Sequence, residues 1–316
     1  MPAPPKQGVP RRSSPDAYPE TTAYGAGRGV GRGIALEAAR AGARIVVNDI
    51  GVSPSGDWDG VDPSRTVIDE IEALGGEAVA CTESVASWPT AQRIVECAVD
   101  SFGRIDAVVN NAGILRDILF HKMDPEDFDR VIDVNLRGPF YVSRAAAPHF
   151  RNQQSGAFIH MTSTAALIGN FGQSNYMAAK LGLVGLSTSI SIDMQRFGVN
   201  SNCIAPFAWT RMVQTIPANS PEQVQRLDGL KKLAPERIAP FAVALMTDAG
   251  RAAVTGQVFG VRNNEIYLFS KTRPVATMHT GDGWTPQAVL DRVIPAFSPQ
   301  FIAPMTSRDV FVWDPV

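Results

Sequence analysis

The sequence predicts an α/β fold: a doubly wound parallel sheet in a single domain, with a C-terminal extension. Three observations predict it. Strand-like and helix-like segments alternate from about residue 21 to residue 206, which implies a parallel sheet covered by helices on both faces. Gly25, Gly29 and Gly31 form a GxxxGxG turn ahead of a helix-like segment. Asp49 then closes the second strand-like run, where a carboxylate can meet a ribose.

Residues 1–20 are rich in Pro, Ser and Arg without periodicity and read as a disordered arm. "TTAY" (21–24) reads as a shortened strand, since Thr and Tyr favour extended backbone. It lacks the apolar run of a buried central strand, and Pro19 sits just before it. That mismatch predicts an altered N-terminus and a weakened cofactor site. "RIVVND" (44–49), "EAVAC" (77–81), "IDAVVNNAG" (105–113), "GAFIHMTS" (156–163) and "VNSNCIAP" (199–206) are strands. Residues 64–76, 88–102, 124–151 and 174–197 are the intervening helices. Further on, "SPEQVQRL" and "RIAPFAVALMTD" look helical, "TGQVFGV" and "NEIYLFS" look like sheet edge, and "TPQAVLDRVI" is one helix in a proline-rich tail. The expected division is an arm (1–20), a nucleotide-binding domain (21–260) and an extension (261–316) near the substrate site or a subunit interface.

Composition excludes several classes. A formal net charge of −2 leaves no electrostatic footprint for nucleic acid. No apolar run approaches the roughly 20 residues of a membrane span, and no secretory h-region opens the chain. Three cysteines (Cys81, Cys97, Cys203) without a CxxC fit a reducing, cytoplasmic compartment. The four histidines show no metal-ligand spacing, so no metal is expected.

The chemistry sits at the carboxyl ends of the strands, where such sheets bind ligands. Glycines let the backbone approach a pyrophosphate, whose charge meets the dipole of the following helix. Asp49 favours the ribose hydroxyls of NAD and would repel the 2′-phosphate of NADP, whereas Arg28 argues the other way; NAD is the stronger expectation. Tyr176 and Lys180 are four apart on a helix and share one face. A phenol titrates near pH 10, and an adjacent ammonium favours its phenolate, so Lys180 is expected to lower Tyr176 toward neutrality. Ser163 closes the preceding strand, within reach of a substrate oxygen, and Asn135 lies on the helix before that. Singly, each has a packing explanation. Together, on adjacent elements at the carboxyl edge, they point to acid–base chemistry beside a bound dinucleotide.

GxxxGxG, "NNAG" (110–113), Asn135, Ser163 and Tyr176-x-x-x-Lys180 resemble the signature of the short-chain dehydrogenase/reductases over residues 21–260, a Rossmann-type family. The resemblance implies Tyr176 as general acid–base and Ser163 as the group orienting the carbonyl or hydroxyl. Lys180 would tune Tyr176 and bind the nicotinamide ribose, and Asn135 would support a proton-relay water. Cofactor contacts are implied at Val30, Glu83, Ser84, Val85, Asn111, Ala112, Gly113 and Pro206. Three positions depart from the pattern: Tyr24 stands for Thr, Glu83 for Asp at the adenine, and Phe207 for Gly.

A narrower resemblance rests on "VVNDIG", "NNAGILRD", "GNFGQSNYMAAKLGLVGLS", "CIAPFAWTRM" and the long tail. These are similar to the (3R)-hydroxyacyl-CoA dehydrogenase unit of multifunctional enzyme type 2 and its stand-alone bacterial relatives. The ending Asp314-Pro315-Val316 is not a peroxisomal tripeptide, so a stand-alone enzyme is expected. The implied substrate is an acyl-CoA, with Arg116, Arg211, Lys271 and Arg273 as candidate phosphate partners. "FAWTRM" and "NEIYLFS" are candidates for an acyl slot or for core. The small and apolar residues of "MAAKLGLVGLSTSISI" suit burial between subunits, implying a homodimer or homotetramer. Two alternatives stand: a dehydrogenase of a free alcohol or steroid nucleus, and a non-catalytic homologue with an impaired nucleotide pocket.

Overall fold

The segment that reads least like a strand lies in the middle of the sheet. β1 (Thr21–Tyr24) pairs in parallel with β2 (Arg44–Asn48) on one side and with β4 (Ala107–Asn110) on the other. The ladder is made by backbone groups, so a short run in which Thr and Tyr favour extended geometry suffices without an apolar run. The computed structural model describes residues 21–24, 26–57, 60, 62–214 and 228–313, with backbone only for 21–24 and 213–214. The arm, Gly25, "SPEQVQRL", the side chain of Tyr24 and the last three residues lie outside the described residues.

The strand order is β3-β2-β1-β4-β5-β6-β7-β8, with β3 Glu77–Cys81, β5 Gly156–Met161, β6 Val199–Phe207, β7 Val258–Arg262 and β8 Glu265–Leu268. Every pairing is parallel except β7 with β8. The order reverses between β1 and β4, the switch point where such sheets open a crevice beyond their carboxyl ends.

Alternate residues of the strands bury on opposite faces. Ile45, Val47, Val109 and Ile159 pack under α1 (Gly29–Arg40), α2 (Pro63–Ala73) and the helix Ala239–Met246. Val46, Val108 and Phe158 pack under α3 (Trp88–Phe102) and α5 (Gly138–Gln153). Burial on both sides is why these strands read as unbroken apolar runs. The helices start and stop where their caps say they should. Asp62 accepts from the Ser64 amide at 2.9 Å ahead of Pro63, and Gly103 ends α3 at φ 80°.

Two segments differ from expectation. The helix expected over 124–151 is broken into α4 (Pro125–Ile132), a π-helical turn (Asp133–Arg137) and α5. The wider turn makes room for a buried side chain, that of Asn135. The expected boundary at residue 260 falls inside β7, and the sheet runs on through Leu268. Beyond it, the chain makes short exposed helical turns and returns to the sheet's carboxyl edge. There the Ser307 amide donates to Gly169 O at 3.0 Å, and Arg262 donates to Trp313 O. Phe207, Tyr267, Phe311 and Trp313 form an aromatic cluster, with Phe207 and Phe311 centroids 4.7 Å apart.

Candidate active site

A cavity of about 1000 Å³ follows the carboxyl ends of the strands. One end is built by the turn after β1. Gly29 opens α1 with φ +55°, a left-handed conformation that suits glycine, and the Arg28 side chain at the N-cap makes no capping hydrogen bond. The first-turn amides there and the helix dipole offer a seat for an anion. Asp49 faces the same turn. Its Oδ2 accepts from the Gly27 amide at 3.1 Å and its Oδ1 from the Gly51 amide at 2.9 Å. A Cβ on Gly27 would sit 2.5 Å from Pro63 Cγ and 2.8 Å from Asp49 Oδ2, so only glycine allows this approach. A helix N-terminus, glycine-close backbone and a fixed carboxylate together fit a dinucleotide.

Gly29, Val30, Asp49, Glu83, Ser84 and Val85 line this end. Gly31 is buried inside α1 instead. The Glu83 carboxylate is gripped by Arg93 through two bonds, 2.7 and 2.8 Å, which hold it below the usual carboxylate range. Glu83 therefore borders the expected adenine position with its charge already paired. Asn111, Ala112, Gly113 and Pro206 continue the wall toward the catalytic end.

Ser163, Tyr176 and Lys180 meet at that end. Ser163 starts the short helix α6 (Thr164–Leu167); its Oγ accepts from the Ala165 amide at 3.2 Å and its side chain also bonds Tyr176. Tyr176 lies in the first turn of α7 (Ser174–Asp193), where Asn175 Oδ1 accepts from its amide at 2.7 Å. One turn later, Lys180 Nζ donates to Met161 O at 2.8 Å and stands 5.6 Å from the Tyr176 ring centroid.

The phenol does not move in the expected direction. Burial pushes Tyr176 up to about 12; the Ser163 bond opposes this, and the negative charge of Asp117 adds to it. Burial also pushes Lys180 down to about 8. A phenolate deprived of water is costly, and that cost sets the direction. At neutral pH the phenol thus rests protonated beside a charged lysine, the form that donates a proton to a carbonyl.

Asn135 is not part of the cavity wall. It is fully buried, and its amide closes on Ile114: Oδ1 accepts from the Ile114 amide at 2.9 Å, and Nδ2 donates to Ile114 O at 2.8 Å. A Cβ on Gly113 would lie 2.8 Å from Asn135 Oδ1, so that glycine is what lets Asn135 reach. The side chain orders the backbone beneath the site.

Of the candidate cations, only Arg211 lines the cavity, and it also donates to Val52 O at 3.1 Å. Arg116 is committed to Asp127 at 2.6 Å, and Lys271 and Arg273 stand away from the wall. "FAWTRM" contributes Phe207, Ala208, Thr210, Arg211 and Met212, whereas "NEIYLFS" only backs Phe207 through Tyr267. The sequence reading missed Gly27, which closes on Asp49, and, on the cavity wall, Asp117, Gln173, Arg262 and the returning tail with Arg308, Phe311 and Trp313. Gln173 alone carried a signal, three residues before Tyr176 at the start of its helix.

Residues 22–221 match the family described as short chain dehydrogenase. The chain is similar to peroxisomal multifunctional enzyme type 2 of Mus musculus, 39% identical over 269 residues, covering 84% of this chain and 35% of that one. It thus spans little more than a third of that relative's length. It is also similar to a 3-oxoacyl-(acyl-carrier-protein) reductase of Synechocystis sp., 38% identical over 238 residues, covering 75% of this chain and 92% of that one. Among solved structures, a 7α-hydroxysteroid dehydrogenase complexed with NADH and 7-oxo glycochenodeoxycholic acid has a TM-score of 0.69 at 30% identity, covering 77% and 92% of the two chains. Among the described residues, no helix is long and apolar enough to cross a membrane.

Proposed function

The chain belongs to the short chain dehydrogenase family, and from that premise we propose that it interconverts a 3-hydroxyacyl-CoA and a 3-oxoacyl-CoA with NAD. The observation that carries this reading is a single cavity joining Asp49 and the α1 N-terminus to Ser163, Tyr176 and Lys180, then continuing to Phe207, Phe311 and Trp313. Its near end suits a dinucleotide, its middle a carbonyl, and its far end an apolar chain. The likeness to a 3-oxoacyl reductase and to a peroxisomal multifunctional enzyme supports an acyl thioester as the substrate.

In this reading, Asp49 would hold the ribose hydroxyls, and the amides around Gly29 and Val30 would hold the pyrophosphate. Lys180 would meet the second ribose. NAD, when bound, supplies the hydride acceptor. Ser163 donates a hydrogen bond to the substrate oxygen at C3. In oxidation, Tyr176 takes the hydroxyl proton as the C–H bond of C3 gives up its hydride. In reduction, Tyr176 returns that proton to the carbonyl oxygen. Lys180 keeps positive charge near the ring while the phenolate exists.

A second reading, oxidation of a hydroxysteroid, is favoured by the steroid held in the solved relative. Initial rates with a 3-hydroxyacyl-CoA, its free acid and a hydroxysteroid, each with NAD and NADP, separate the readings. The thioester with NAD is expected to be fastest. Equal rates for thioester and free acid overturn the CoA reading, and absence of NADH binding by fluorescence titration overturns the enzyme reading.

We also propose that the chain is a homodimer or homotetramer paired through α7, whose Leu181 and Ile192 are 52% and 70% exposed. Sedimentation velocity is expected to show no monomer at micromolar protein; a monomer that persists overturns it.

A further inference from the structure

Asp117 belongs to none of the parts assigned so far. It lies between β4 and α4 and lines the cavity beside Tyr176, Ser163 and Gln173. The Ile118 amide donates to Gly172 O at 2.8 Å, which ties this segment to the approach to α7.

We infer that Asp117, aligned by Gln173 and Asn170, is a specificity-determining acceptor for an N–H or O–H donor that the substrate carries a few bonds from its reacting carbon. The alignment runs through two amides. Asn170 Nδ2 donates to Gln173 Oε1 at 2.8 Å, and Gln173 Nε2 donates to Asp117 Oδ2 at 2.7 Å. Gln173 is buried, and reversing its amide would set its oxygen against the carboxylate and its NH2 against that of Asn170. The side chain therefore has one workable orientation, and it fixes Asp117.

The other carboxylate oxygen, Oδ1, has no hydrogen bond or ion pair among the described residues. The nearest cation in sequence, Arg116, is turned away to Asp127 and to Ser55 O. Asp117 is open to solvent through the cavity, so water serves Oδ1 until substrate arrives. A ligand that displaces this water must replace its hydrogen bond or leave a carboxylate under-satisfied. A substrate with a donor at that point is accepted, and one with hydrocarbon there is penalised. Asp117 lines the same cavity as Tyr176 and Ser163, which places the acceptor on the wall that a substrate must pass to reach them.

The identity of the donor rests on the function proposed above. For an acyl-CoA it is the pantetheine amide nearest the sulfur; for a hydroxysteroid it is a second ring hydroxyl. The test uses two thioesters of 3-oxobutyrate: the N-acetylcysteamine ester, which keeps that amide, and the S-pentyl ester, which has hydrocarbon of the same length. Wild type is expected to prefer the amide ester by about 10-fold or more in kcat/KM, the scale of a hydrogen bond to a charged group. In Asp117→Ala and in Gln173→Leu the preference collapses toward unity through KM, with NADH binding unchanged as the folding control. A preference kept in both variants, or an equal loss for both esters, overturns the inference. Turnover of neither ester by wild type overturns the acyl-thioester reading. The acceptor is then read from a hydroxysteroid pair with and without the second hydroxyl, where a preference insensitive to Asp117→Ala overturns it.

Discussion

Tyr176→Phe loses about 10²–10⁴-fold in kcat, the usual contribution of a positioned acid–base group, while NADH binding stays as in wild type. The substitution removes one oxygen and keeps the ring that Lys180 faces, 5.6 Å from its Nζ. Ser163 loses its partner but keeps the Ala165 amide, so the wall of the cavity stands. The pH profile of wild type has a definite sign. With the phenol pushed up to about 12, the phenolate fraction grows as pH rises from neutrality, and hydroxyl oxidation accelerates with it. Lys180 titrates near 8, so above that pH the phenolate loses its neighbouring charge and the gain flattens. Carbonyl reduction uses the protonated phenol and stays level across neutrality. Stopped-flow NADH absorbance in both directions checks this. Normal turnover in Tyr176→Phe, or oxidation that slows from pH 6 to 8, removes Tyr176 from its assigned role.

Local patterns were legible in the sequence, and tertiary ones were not. "RIVVND" gave β2 to within one residue because a strand buried on both faces must read as an apolar run. Tyr176 and Lys180 were found because helical spacing alone puts them on one face. β1 is the opposite case: its neighbours on both sides impose the pairing, and its own residues need only not oppose it. The direction of the Tyr176 shift was misjudged for a related reason. Lys180 is visible four residues away, whereas the burial that sets the direction belongs to the whole fold. Asp117 and Gln173 are 56 residues apart, and Ser307 meets Gly169 across 138. No periodicity announces such pairs. Asn135 was read correctly as a helix residue, but the π turn that carries it inward onto Ile114 is a departure from the regular period and left no mark in the pattern.

Gly27 shows how much can hang on an unspecified position inside the motif, and Gly27→Val is expected to raise the NADH Kd by roughly 10²-fold. The added Cβ would stand 2.5 and 2.7 Å from the Cγ and Cβ of Pro63 and 2.8 Å from Asp49 Oδ2. A proline ring does not rotate aside, and Pro63 is fixed as the first residue of α2 behind the Asp62 cap. The strain therefore falls on Asp49, which loses the 3.1 Å bond from Gly27 and leaves its place at the ribose. Overpacking of this kind costs about 1–3 kcal/mol, which a domain of this size survives with a lowered Tm. Isothermal titration with NADH, beside Gly281→Ala, whose Cβ would meet nothing within 4 Å, reads the effect. Ser163, Tyr176 and Lys180 are untouched, so kcat at saturating NAD should recover while the KM for NAD does not. If kcat falls and Kd stays, the glycine turn is supporting the catalytic end, and the cofactor is held by residues other than Asp49.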